Sequence, residues 1–75
     1  MSYGYTISVA RKIHAADNSK LGCQLGAYCL KHNIPVTEVA AEFGVTRRTI
    51  YSWFFGKHDI TRHTYREIAR RIMQS

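Results

Sequence analysis

The run VTEVAAEFGVTRRTIYSWFF, residues 36–55, decides how this chain folds. Val39, Ala40 and Phe43 recur at three- and four-residue steps, the period of a helix with one apolar face. Pro35 suits the first turn of that helix, where a missing N–H is harmless. Gly44 stops it, because glycine takes up positive φ without a steric penalty. Thr46 is a polar cap for the next helix, Ile50, Trp53 and Phe54 form its inward face, and Gly56 ends it. Two helices joined by so short a turn must cross steeply. That crossing needs a small residue at the closest approach, a turn residue tolerant of positive φ, and apolar groups that tie the pair together. Ala40 meets the first need and Gly44 the second. Val39, Phe43, Val45 and Ile50 meet the third.

The pattern continues on both sides. Asn18 or Ser19 is placed to cap an earlier helix, in which Leu21, Leu25, Tyr28 and Cys29 share a face, and which ends near His32-Asn33. Thr61 is placed to cap a last helix with Tyr65, Ile68, Ala69 and Ile72 as its apolar stripe. Residues 1–17 read differently. Tyr3, Tyr5, Ile7 and Val9 alternate with Ser2, Gly4, Thr6 and Ser8, which is strand periodicity, while Val9, Ile13 and Ala16 fit a short amphipathic helix. Both readings stay open, and the segment is termed an arm. The expected fold is all-α: four short helices over residues 18–75, preceded by the arm at 1–17.

The chain has 75 residues and 45% hydrophobic content, enough for one small domain and too apolar for a disordered tail. Its formal net charge is +6. Residues 47–75 hold seven Lys or Arg against two Asp or Glu, whereas residues 1–46 hold four against three. The positive field therefore belongs to the C-terminal half, and it implies an anionic partner. Cys23 and Cys29 fall on different faces of one helix, too far apart for a disulfide, and read as reduced, buried thiols. The N-terminus carries no signal-peptide run and no segment has the ~20 apolar residues of a membrane span, so a cytoplasmic or nucleoid location is expected.

Catalytic chemistry has little footing. His14, His32, His58 and His63 form no zinc-finger spacing with the cysteines, and Cys29 with His32 makes two ligands only. No nucleophile, base and orienting acid form a set, and no glycine loop cradles a phosphate. The expectation is a non-enzyme with no metal, no cofactor and no small-molecule substrate.

Residues 20–73 resemble the Cro/C1-type helix-turn-helix family of phage and bacterial regulators. The family's small residue, turn glycine and following branched residue match Ala40, Gly44 and Ile50. Its frequent tryptophan and glycine-lysine ending match Trp53, Gly56 and Lys57. The chain departs from the pattern at Phe54-Phe55, where the family often has a charged pair, and the arm has no counterpart. The resemblance implies a four- to five-helix bundle and sequence-specific binding to double-stranded DNA, often as a homodimer on an inverted repeat, with Trp53 joining Ala40, Gly44, Val45 and Ile50 in the structural set. In such motifs the second helix enters the major groove N-terminus first. Arg47 and Arg48 are then deepest, where arginine reads guanine through two hydrogen bonds. Tyr51, Ser52 and Phe55 follow on the same face. Thr37 and Thr46 sit at helix starts, which favour phosphate. Lys57 and Arg62 complete the expected phosphate contacts, and Arg66 and Arg70 continue a stripe from Arg62. Arg11, Lys12 and His14 offer a basic arm for a minor groove.

Three functions fit these residues. The first is a transcriptional repressor that excludes polymerase by occupying its site. The second is a DNA-binding accessory protein in replication, recombination or packaging. The third is a protein-interaction module, such as an antitoxin or inhibitor, in which the basic surface and the Phe54-Phe55 pair hold a protein.

Overall fold

A threonine settles the arm. In the computed structural model, which describes residues 6–16 and 18–74, the Thr6 hydroxyl accepts a hydrogen bond from the Val9 amide at 3.2 Å. That cap opens a helix, α1, over Ile7–Ala15. Val9 and Ile13 lie one turn apart, and Ile13 is 1% exposed. The helical alternative therefore holds for this stretch, and no strand occurs among the described residues. Tyr3 and Tyr5, on which the strand reading leaned, lie outside them.

Four more helices follow: α2 (Leu21–Lys31), α3 (Val36–Phe43), α4 (Arg47–Phe54) and α5 (His63–Met73). The architecture is all-α, as the periodicity predicts. α2 is central, packing against α1, α4 and α5, while α3 packs against α4 and α5. Its approach to α4 is close because two glycines one turn apart face that helix. A Cβ on Gly22 would stand 2.7 Å from the Trp53 carbonyl oxygen, and one on Gly26 would stand 2.9 Å from Cγ of Phe54.

The helix starts differ from the local reading. Neither Asn18 nor Ser19 caps α2; Lys20 occupies the N-cap and its side chain makes no capping bond. Asp59, from the loop between α4 and α5, does this instead: its Oδ1 accepts from the Gly22 amide at 3.2 Å and from the Ile60 amide at 2.8 Å. A carboxylate at a helix N-terminus satisfies a free amide and opposes the positive end of the dipole. Likewise Arg62, not Thr61, occupies the N-cap of α5, without a side-chain capping bond. The loop there is held by Arg66, whose Nη1 donates to the Ile60 carbonyl at 2.7 Å.

The core holds Ile13, Leu25, Cys29, Val39, Phe43, Ile50, Phe54, Ile60 and Ala69. Phe43, Trp53 and Tyr65 form an aromatic triangle with centroids 5.1, 5.8 and 5.5 Å apart, joining α3, α4 and α5. Such pairs contribute roughly 0.5–1.5 kcal/mol each beyond burial. Among the described residues no polar or charged side chain is buried. Cys23 and Cys29 are both buried thiols, and neither is in a disulfide.

Candidate nucleic-acid interface

The turn between α3 and α4 is built by Gly44. Its backbone is left-handed, at φ 70° and ψ 32°. In that conformation the Gly44 amide reaches the Ala41 carbonyl at 3.3 Å and the Val45 amide reaches the Ala40 carbonyl at 3.1 Å. These bonds satisfy the last carbonyls of α3 and reverse the chain at once. Two residues later Thr46 starts α4, its hydroxyl accepting from the Thr49 amide at 3.3 Å and lying 3.2 Å from the Thr49 hydroxyl. Ala40, Ile50, Trp53 and Phe54 are buried, and Val45 is half-buried.

Burying one face of α4 presents the other. Arg47 and Arg48 are exposed on its first turn, and Tyr51, Ser52 and Phe55 are half-buried along the same side. Tyr51 and Phe55 stack with centroids 5.6 Å apart and planes 19° from parallel. α4 ends at Gly56, again left-handed at φ 81°, and Lys57 turns back so that its amide reaches the Ser52 carbonyl at 3.0 Å. The end is pinned from α2: Lys20 Nζ donates to the Gly56 carbonyl at 2.9 Å. Arg48, Tyr51, Ser52, Phe55, Lys57 and His58 line a shallow concavity along the helix. No carboxylate is among them, so its field is positive.

Residues 25–72 match the helix-turn-helix family model. The chain belongs to the Cro/C1-type helix-turn-helix family. As a member it is a DNA-binding regulator, of a class that is generally non-enzymatic, and α3 and α4 are its two motif helices. No curated protein and no solved structure matches the chain. No helix of the described residues is long and apolar enough to cross a membrane, and no three His, Cys, Asp or Glu side chains among them are grouped to hold a metal ion.

Within this helix-turn-helix the expected contact residues divide. Arg48, Tyr51, Ser52, Phe55 and Lys57 come together on one wall, with Arg47 beside Arg48 at the start of α4. Thr46 is occupied as a cap. Thr37 is exposed, the second residue of α3. Arg62 does not line the concavity; its guanidinium carbon stands 5.1 Å from the centroid of Tyr65. Arg66, in the same expected stripe, is committed to the Ile60 carbonyl. Two further residues border this wall: His58, outside the expected contact set, and Lys12, which the sequence offers to a minor-groove arm. His58 is brought in because its amide, 3.3 Å from the Ser52 carbonyl, follows the same turn as Lys57. Lys12 Nζ stands 5.5 Å from the centre of the Phe55 ring. Its signal was adjacency to Ile13, whose burial fixes how α1 lies.

Proposed function

We propose that this regulator is a sequence-specific repressor that lays α4 in the major groove of double-stranded DNA and acts by occupying its operator. The observation that carries this reading is the division of α4. One face is buried to anchor the helix, and the other offers arginine, tyrosine, serine, phenylalanine and lysine with no acid among them. Arg47 and Arg48 enter deepest and donate to guanine O6 and N7. Ser52 follows as a polar contact, and the stacked rings of Tyr51 and Phe55 meet thymine methyls. Thr37, Thr46, Lys57 and Arg62 bind phosphate, the threonines at helix N-termini and the cations by charge. Binding as a homodimer places two copies of α4 one helical turn apart on an inverted repeat.

Selection from a random duplex pool, at about physiological ionic strength, tests this. Enrichment of an inverted repeat with half-sites about 34 Å apart is expected. A single enriched half-site removes the dimer alone. Binding with no enrichment and only salt sensitivity overturns the specific-repressor reading.

A further inference from the structure

Lys12 and Lys57 face a common cleft. With Ala15, Ala16 and Phe55 they line a concavity of about 340 Å³. Phe55 and Lys57 also line the concavity along α4, so the two adjoin. Lys12 lies on α1, outside residues 25–72 that match the family. It is therefore an addition to the motif, docked against the trailing end of α4.

The geometry points to α1 as a second, backbone-reading element: Lys12 and Lys57 together hold one DNA phosphate at the flank of the half-site. Both lysines are exposed, and no carboxylate is among the described residues that line the cleft. Two like charges on one cleft raise its potential and draw an anion. Ala15 ends α1 and Ala16 is its extended C-cap; their methyl side chains leave the floor of the cleft open beside the lysines. The ammonium of Lys12 stands over the Phe55 ring, Nζ 5.5 Å from its centre, a cation–π contact that holds the charge at the cleft. The anion is supplied by the duplex that α4 engages, so the inference rests on the DNA-binding reading above. α1 then acts as a buttress on the sugar-phosphate chain, and not as the minor-groove arm that its basic residues first suggest.

The experiment uses the full chain and the duplex it selects. Lys12→Met keeps a long unbranched side chain beside Phe55 and removes the charge. Binding is titrated against salt for the wild type, Lys12→Met, Lys57→Met and Arg47→Ala, with thermal melting of each. Lys12→Met should weaken binding to every sequence alike and make the slope of log K against log salt shallower by up to about one for each half-site. Ethylation interference should lose one phosphate per half-site in the same variant. Melting should be unchanged. An unaltered slope and interference pattern in Lys12→Met overturns the inference, and does so also where the melting temperature falls, since Lys12 would then only brace α1. In that case a changed base preference for Arg47→Ala leaves the DNA-binding reading standing. Absence of wild-type binding to any duplex overturns both.

Discussion

The carbonyl oxygen of Trp53 stands 2.7 Å from the point a Cβ on Gly22 would occupy. The second motif helix is thus seated on α2 through a contact that admits hydrogen and nothing larger. Because the obstructing atom is backbone, the clash cannot be relieved by rotating a side chain.

Gly22→Ala should accordingly destabilise the domain. Alanine gains about 1 kcal/mol of helix propensity over glycine, but forcing a methyl group into a filled interface costs about 1–3 kcal/mol. The expected net loss is about 1 kcal/mol, read as a lower urea midpoint at unchanged m-value. A raised midpoint would show that α2 and α4 separate without penalty.

At Gly44 the prediction rests on backbone conformation alone. Nothing lies within 4 Å of a Cβ there, yet φ is +70°. Gly44→Ala should cost about 1–2 kcal/mol. Gly44→Asn should cost less, because asparagine visits this region more readily. Equal losses for the two in thermal melts would place the cause elsewhere than φ.

Reading and anchoring residues should separate in binding assays. Arg47→Ala should cost about 1–3 kcal/mol and relax preference at one base pair. Lys57→Ala should weaken all sequences similarly and make the salt slope shallower by about one. Competition assays against single-base variants of the selected site distinguish the two. Like behaviour of both variants would contradict the division drawn along α4.

Burial pushes the Cys29 thiol up to about 12, because the interior disfavours the thiolate. An unfolded chain ionises this thiol near pH 8.5. Below that value both states keep the proton and the stabilisation is fully present. Above it the unfolded state loses its proton first, so stability falls as pH rises towards about 12. Urea midpoints followed upward from neutral pH should decline less steeply in Cys29→Ala than in the wild type. Parallel slopes would mean that other groups carry the alkaline loss. Alkylation of native Cys29 should likewise wait on opening of the fold.

The helix-turn-helix was legible because its determinants are local. Gly44 makes its turn with bonds to Ala40 and Ala41, and Thr46 caps α4 through Thr49. Residues three to five apart can be read from spacing. The start of α2 was not legible in this way. Its free amide is met by Asp59, 37 residues along the chain, so the nearby Asn18 and Ser19 were the natural but wrong choice. α5 misled similarly, since Arg66 on the Ile60 carbonyl organises its entry and not Thr61. The spacing of Gly22 and Gly26 was visible in the sequence, but which helix approached them was not. The position of Lys12 beside Phe55 depends on how α1 docks, which only tertiary packing decides.

An interior with no buried polar side chain among the described residues has a thermal consequence. Apolar burial gives unfolding a heat capacity of about 12–15 cal/mol/K per residue, or on the order of 1 kcal/mol/K for 75 residues. The curve of stability against temperature is then a dome, highest at about 10–20 °C. Warming and deep cooling both loosen the grip of α2 on α4, and sulfate, which strengthens apolar burial, tightens it.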